Sequence, residues 1–257
     1  MKVSALIVLY NKSINDIVCL DTVQSSNHVV QIVVCDNSEC VEENRRIAKV
    51  KGIDYLSMEG NKGLSKAYNA GITCCKGDVI CLFDDDSFVH PQYFDELDNL
   101  WSKKLDWDIA LPLVMSGNSV LSPCYFNGFR SRTFDPKAVD AANDNINGIN
   151  SGMAIKKYVY NIIQYNEKLF LDLVDHQFCI DAHNADFKIV FCESMKLGQN
   201  YSFDTNSLVQ AKARMKVFEK DAKVFYSSSL VKKAYCTFML MFRKIKLYMK
   251  YRNSPLG

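Results

Sequence analysis

The residues with the clearest chemical potential are three consecutive carboxylates, Asp84, Asp85 and Asp86. They follow Val79-Ile80-Cys81-Leu82-Phe83, a short continuous apolar run that reads as a buried strand of a parallel sheet. Open α/β sheets place their ligands off the carboxyl ends of such strands. Adjacent carboxylates repel one another, and solvent or a cation must relieve the repulsion. A hard divalent cation takes oxygen ligands, and Mg²⁺ typically joins one or two carboxylates to substrate phosphates. One reading is therefore a metal–diphosphate site; the other is a solvated acidic turn ahead of a helix that begins near Pro91. These residues alone leave both open.

The elements needed to position that cluster are legible on either side of it. Val3–Tyr10 reads as a first buried strand, and Asn11-Lys12-Ser13 turns into a helix ending near Ser26. Val29–Cys35 is a second strand, ended by Asp36-Asn37-Ser38. A helix over about Val41–Val50 leads to a short strand, Ile53–Ser57. The glycines and asparagines of Gly60–Gly63 permit an irregular loop before an alanine-containing helix that runs to about Cys75. Beyond the acidic run come a helix to about Lys104 and a strand over Asp108–Met115. Ser116–Asn150 lacks regular periodicity and reads as loop and irregular strand. Ile149–Ile155 follows as a strand interrupted by Ser151-Gly152, then a helix from near Lys156, a helix over about Val174–Asp186 and a last strand, Ile189–Cys192. Strand–helix alternation at this pace predicts an α/β chain with a parallel, doubly wound sheet.

A chain of 257 residues can bury a substantial core, and 48% hydrophobic with 23% charged residues excludes a disordered polymer. Most of the ten cysteines lie inside apolar runs without CxxC or Cys/His ligand spacing, as expected of buried thiols in a reducing compartment. The amino terminus lacks the charge and cleavage pattern of a signal peptide, and no apolar stretch reaches spanning length. The expected location is the cytoplasm. The net charge of +2 conceals an asymmetry: Lys212–Gly257 holds 12 basic and two acidic residues, leaving residues 1–211 at −8. The expected organisation is an acidic catalytic-type domain, residues 1–205, followed by a basic helical segment, residues 206–257.

Taken together, LYNKS, VVCDNSE, NKGLSKAYNAGI, LFDDDS, INSGMAI and FLDLVDHQFC resemble, in order and spacing, an inverting family 2 glycosyltransferase of the GT-A fold, closest to its rhamnosyltransferase-like branch. The resemblance covers about residues 3–220. It implies a GT-A-like nucleotide-sugar-binding fold with a mostly parallel central sheet. It also implies a nucleoside-diphosphate sugar donor (dTDP-rhamnose or a UDP-sugar), a saccharide acceptor, which family members often use lipid-linked, and Mg²⁺ or Mn²⁺ as cofactor. Surface polysaccharide synthesis is the implied setting. Tyr10 and Asp36 match the positions facing the nucleotide base, although a strand-end aromatic and a helix cap are their plain readings. Asn61, Gly63, Lys66 and Asn69 match the donor segment, with Lys62 an alternative to Lys66 for phosphate. Asp84 and Asp86 match the two ends of the Asp-x-Asp motif, the first toward ribose and the second toward the metal, with Asp84 a further metal ligand and Asp85 between them. Ser151 and Gly152 fall in the INSGMAI stretch on the donor side. Asp175 matches the general base, or is only a helix cap, with Asp172 as fallback. Family members often carry a histidine before the last glycine, where this chain has Met195-Lys196-Leu197-Gly198; Lys196 is the substitute source of positive charge.

Two other function classes compete. A haloacid dehalogenase-type phosphatase carries its Asp-x-Asp after the first strand, whereas Asp84 follows about the fourth. A noncatalytic nucleotide- or cation-binding module docked on a membrane or complex is the other rival. In the tail, Val231, Ala234, Tyr235, Phe238, Phe242, Ile245 and Met249 keep helical spacing, with Lys232, Lys233, Arg243, Lys244, Lys246 and Lys250 placed opposite. Such a helix fits an anionic membrane surface, the body of the protein or a second copy in a homodimer. Phe126–Arg132 mixes aromatics and arginines without a nucleic-acid-binding fold and reads as a substrate-facing loop, so no nucleic-acid partner is expected. His176 and His183, seven apart, read as surface or capping residues.

Overall fold

The computed structural model describes residues 1–133, 146–199 and 207–252. The Asp/Asn-rich span expected as loop, and the expected boundary at residue 205, lie outside the described residues.

Successive elements are β1 (Val3–Leu9), α1 (Leu20–Ser25), β2 (Val29–Asp36), α2 (Glu42–Lys51), β3 (Asp54–Ser57), α3 (Leu64–Cys74), β4 (Val79–Asp84), β5 (Ser87–Val89) and α4 (Tyr93–Ser102). There follow β6 (Ile109–Ser116), β7 (Ser119–Ser122), β8 (Cys124–Phe126), β9 (Ser131–Thr133), β10 (Ile146–Asn147), β11 (Ala154–Lys156), α5 (Val174–Asn184), β12 (Ile189–Gln199), α6 (Leu208–Phe225) and α7 (Leu230–Tyr251). The main sheet runs β3-β2-β1-β4-β11-β6-β12-β5, with β7 beside β6, and β10-β8-β9 form a small second sheet.

The central sheet is mostly parallel, as expected. β3, β2, β1 and β4 pair parallel, as do β6 and β12. The departures are β11, antiparallel between β4 and β6, and the outer strands β5 and β7, antiparallel to β12 and β6. Apolar pattern reports burial and carries no strand direction, so a three-residue reversed strand is invisible in sequence. Alternation along the strands then sorts the core onto two faces. Ile80 and Leu82 pack with α3, α5, α6 and α7 on one face. Val79, Cys81 and Phe83 pack with α1, α2 and α4 on the other.

Three boundaries differ from expectation. The helix expected to Ser26 breaks into a short 3₁₀ turn, Ile14–Asp16, and α1. The helix expected from Lys156 is a 3₁₀ turn only, Lys157–Asn161. The last strand continues past Cys192 to Gln199 through an irregularity between Cys192 and Lys196, which is how the polar pair Glu193-Ser194 is accommodated.

The C-terminal helices share the core of the body. Phe218, Ala222 and Phe225 of α6 and Cys236 and Leu240 of α7 belong to the same buried cluster as Leu6 and Leu82. α6 starts at a capping box formed by Ser207 and Gln210, and Ser229 caps α7 through the Lys232 N–H. The face α7 buries is not the apolar stripe read from the sequence. Cys236 and Leu240 are buried, while Phe238 and Phe242 are each 61% exposed and Met249 56%. At 3.6 residues per turn, Lys246 and Lys250 lie on one shoulder of the exposed stripe, while Arg243 and Lys244 fall on the far side from it, next to the buried face. Among the described residues no helix is long and apolar enough to cross a membrane.

Candidate functional site

Adjacent parallel strands bring three turns to one edge of the sheet. β1 sits between β2 and β4, with Leu9 paired to Asp36 and Val8 to Asp84. Tyr10, the Asp36–Ser38 turn and Asp84–Asp86 therefore share the carboxyl edge, as an α/β ligand site requires. Tyr10 is half exposed there.

The three aspartates are not equivalent. Asp85 is paired with Lys12, whose Nζ lies 2.5 Å from Oδ1, and its backbone oxygen accepts the Val18 N–H. Burial pushes its carboxyl up even so, with Lys12 opposing. Among the described residues no cation pairs with Asp84. Burial first, then Asp86, Asp85 and, further off, Asp175 push its carboxyl up to about 7. The Gln199 Nε2 amide donates to Asp84 Oδ2 at 3.1 Å and to Asp86 Oδ1 at 3.5 Å. Its own Oε1 is buried and has no hydrogen-bond partner among the described residues.

Gln199 is the residue that sequence reasoning missed, because the last strand was expected to stop at Cys192. The expected substitute cation, Lys196, is exposed, and its backbone oxygen accepts the His90 N–H. Lys12 was likewise overlooked, although its place just past β1 was a signal: the neighbouring strand β4 ends in the acidic run.

No group of three or more His, Cys, Asp or Glu side chains able to hold a metal ion occurs among the described residues. The donor set nevertheless fits one kind of cation. Two crowded carboxylates and an orphaned amide oxygen suit a hard divalent ion that completes its shell with phosphate oxygens, and do not suit a closed protein cage.

The opposite wall is built by the segment before α5. Asp221 of α6, fully buried, accepts the backbone N–H groups of Phe170, Leu171 and Asp172 at 2.8–2.9 Å. The Phe170 carbonyl accepts the Leu64 N–H at 2.6 Å from the start of α3. Gly63, at φ +90°, sits so close that a Cβ would lie 2.8 Å from the Phe170 oxygen; glycine is required there. Clamped from both sides, the chain passes through Leu173 at φ +62° into α5. A non-glycine residue in that region costs of order 1–3 kcal/mol, which the Asp221 clamp offsets. Asp175 then lies in the first turn of α5, its Oδ1 accepting the His176 N–H at 2.8 Å. It is not the helix cap, since that position is Leu173. The Tyr68 hydroxyl, buried with no hydrogen-bond partner among the described residues, lies in the fields of both Asp84 and Asp175.

Several expected donor contacts have other partners. Asp36 is fully buried, accepting the Ser38 N–H at 3.0 Å, the Asn44 amide at 2.8 Å and the Tyr55 hydroxyl at 2.8 Å. Its observed work is holding the turn after β2. Asn69 uses its amide on the Tyr165 backbone, accepting the N–H at 3.0 Å and donating to the carbonyl at 2.9 Å. Asn61 accepts the Gly63 N–H and so shapes the loop, and Lys66 is exposed on α3. Ser151 is buried with its hydroxyl 2.6 Å from that of Ser87, beside the acidic turn. Gly152, at φ +74°, donates to the Leu82 carbonyl and packs where a Cβ would meet Leu197 at 2.6 Å. Asp172 forms a two-point ion pair with Arg214 of α6. His176 and His183 reach Asn147 and the Ile146 carbonyl, tying β10 to α5. Phe129, in the segment expected to face substrate, packs on Tyr235 of α7 and accepts the Tyr226 hydroxyl on its carbonyl.

Comparison with known proteins decides the family. The description "Glycosyl transferase family 2" matches residues 4–159. The chain belongs to that family. It is 24% identical over 201 residues to the dTDP-rhamnosyl transferase RfbF of Shigella flexneri, covering 75% of this chain and 67% of the relative. It is 30% identical over 99 residues to the uncharacterized glycosyltransferase YwdF of Bacillus subtilis, covering 38% and 37%. TarS of S. aureus shares the fold. Its 1–349 fragment superposes with a TM-score of 0.56 at 15% identity, covering 99% of this chain and 73% of that one. The same fragment in complex with UDP gives 0.55 at 16%, covering 98% and 74%. The chain spans 44% of the longer TarS structure. The family 2, GT-A and rhamnosyltransferase-like resemblance is borne out, and glycosyl transfer is the activity this chain serves.

Proposed function

We propose that the protein moves a sugar from a nucleoside-diphosphate sugar to a saccharide acceptor with inversion, the donor being dTDP-rhamnose in first place and a UDP-sugar in second. The observation that carries this reading is the uncompensated pair Asp84/Asp86 at the carboxyl end of β4, with Asp175 across from it. The dTDP-rhamnosyl transferase RfbF supports the first donor, and the UDP held by TarS the second.

Asp175 takes the proton from the acceptor hydroxyl as that oxygen attacks the anomeric carbon. The bond from that carbon to the diphosphate breaks on the opposite face, and its electron pair leaves with the diphosphate; attack from one face and departure from the other inverts the centre. Asp86 and Asp84, with Gln199 beside them, would hold Mg²⁺ or Mn²⁺, which supplies counter-charge for the departing diphosphate. Tyr10, half exposed at the same edge, offers a ring on which a base can stack. Titration of dTDP and UDP with and without Mn²⁺ tests the reading: wild type should bind metal-dependently and Asp86→Ala should not. Equal affinity in both proteins without metal dependence would sink it.

The exposed apolar stripe of α7, with Lys246 and Lys250 along one shoulder, supports peripheral docking on an anionic membrane at the cytoplasmic face. Flotation with phosphatidylglycerol vesicles should fall away in Phe238→Ser/Phe242→Ser; a dimer that dissociates in that variant instead would assign the stripe to a second copy.

A further inference from the structure

The first turn of α5 carries Asp175, yet among the described residues no side chain caps it; the cap position is Leu173. Its leading N–H groups have no helical acceptors, so other contacts must hold that turn in place. They converge on the next residue, His176. Its Nδ1 lies 3.1 Å from Asn147 Oδ1 on β10, and its Nε2 lies 3.1 Å from Ser131 Oγ on β9. Its ring stacks on Phe126 of β8, with 5.1 Å between centroids and 20° between planes. One imidazole therefore touches all three strands of the small sheet. An amide oxygen only accepts, so Nδ1 carries the proton and Nε2 accepts the Ser131 hydroxyl; a neutral ring satisfies both partners. Phe126 in turn meets Phe225 of α6 edge-on at 5.8 Å, which backs the sheet against the body.

We propose that His176 is the positioning residue of Asp175: it fixes how the first turn of α5 is rolled on the small sheet and so aims the base at the acceptor oxygen. This rests on the reading of Asp175 as the base. Helical periodicity carries the argument. His176, Cys179 and His183 recur at spacings of three and four, and all three grip the same region. The Cys179 thiol points to the Gly148 carbonyl, and His183 Nε2 lies 2.8 Å from the Ile146 carbonyl. Asp175, one residue before His176, is turned about 100° from it, so holding one side chain sets the direction of the other. Asp221 fixes where the chain enters the helix; His176 fixes its rotation. His183 makes its contact about 10 Å further along the axis, too far to steer the base. A base misplaced by roughly 1 Å can cost about a hundredfold in rate.

Hydrolysis of dTDP-rhamnose or UDP-glucose by the full chain tests the role, with water in place of the acceptor and the released nucleotide as the readout. His176→Phe keeps the stack on Phe126 and loses both hydrogen bonds. Its kcat should fall about 10–100-fold, with KM for the donor and calorimetric nucleotide affinity within about twofold of wild type. His176→Asn retains a donor near the Nδ1 position and should return to within about fivefold of wild type. Ser131→Ala, at an exposed position, removes one partner without touching α5 and should lower kcat by about three- to tenfold. His183→Ala cuts the other histidine tie; it should lower the melting temperature about as much as His176→Phe does and leave kcat within about twofold. Asp175→Asn/His176→Phe should be no slower than Asp175→Asn alone, because nothing remains to be positioned. Wild-type kcat in both His176→Phe and Ser131→Ala would overturn the proposal. So would equal kcat losses in His176→Phe and His183→Ala, the mark of a merely structural role, or additive losses in the double variant. An active Asp175→Asn would remove the base itself and the proposal with it; an inactive Asp175→Asn beside an unimpaired His176→Phe would remove the positioning role alone.

Discussion

Two groups of carboxylates flank the cleft and are treated in opposite ways. On the α6 side, Asp221 is fully buried yet receives three backbone N–H groups, and Asp172 has a two-point guanidinium partner. On the β4 side, Asp84 faces Asp86 and Asp85 with one amide for relief, and its carboxyl rises to about 7. Lys12 pairs directly with Asp85. A compensated carboxylate fixes backbone; an uncompensated one stores electrostatic free energy that a cationic or proton-bearing ligand can release. The same distinction sets Asp36 among the compensated carboxylates, since it accepts from Ser38, Asn44 and Tyr55. Asp175 accepts the N–H of the next residue, His176, its one hydrogen-bond donor among the described residues.

Substitutions can break this contrast, and the largest effect is expected at Asp175. Asp175→Asn should bind nucleotide sugar normally, melt near wild type and lose roughly 10²–10⁴-fold in turnover. Asp172→Asn, which cuts a half-exposed ion pair, should cost under about 1 kcal/mol and leave transfer within a few-fold. Near-normal transfer by the first variant with a dead second one would move the base to Asp172.

Next in size is Asp221→Ala, which strands three backbone donors and releases the strained approach to α5. A loss of about 3 kcal/mol is expected, seen as a melting temperature lower by roughly 6–12 °C. A variant as stable as wild type would show that the clamp is not what holds Leu173.

The smallest effect has the opposite sign. Asp84→Asn removes a repelled charge and should stabilise the protein by about 1 kcal/mol at pH 8, roughly 2–4 °C. The folded-state value near 7 lies above the unfolded value of about 3.9, so wild type is penalised fully above pH 7 and progressively less toward pH 4. The two melting curves should therefore converge as pH falls. A gap that widens on acidification would contradict the assignment of Asp84 as uncompensated.

Most of the scaffold was legible before any coordinates, for a physical reason that applies strand by strand. Val3–Leu9, Val29–Asp36 and Val79–Asp84 are buried on both faces, and continuous apolar runs ended by turn residues have few other solutions. The acidic run was legible as a site because a charge cluster directly after a buried strand has one place to go. The apolar stripe of α7 was legible as a stripe. Which way it points was not, since helical periodicity separates faces without saying which one meets the body.

What the sequence determined by itself, then, was local: the alternation of strands and helices, the carboxylates at the end of β4, the pair in Phe170–Cys179 and the family these motifs resemble. What the tertiary structure alone decided was partnership. Asp36, Asn69 and Asp172 turned out to be occupied by the fold, and Gln199 and Asp221, in stretches without a motif, turned out to grip the two walls of the cleft. The reason is range. Turn and strand preferences act over a few residues and are written in them, whereas Gln199 meets Asp84 across 115 positions and Asp221 meets Asp172 across 49. Contacts of that separation depend on how the helices and strands pack, and packing exists only once the chain has folded.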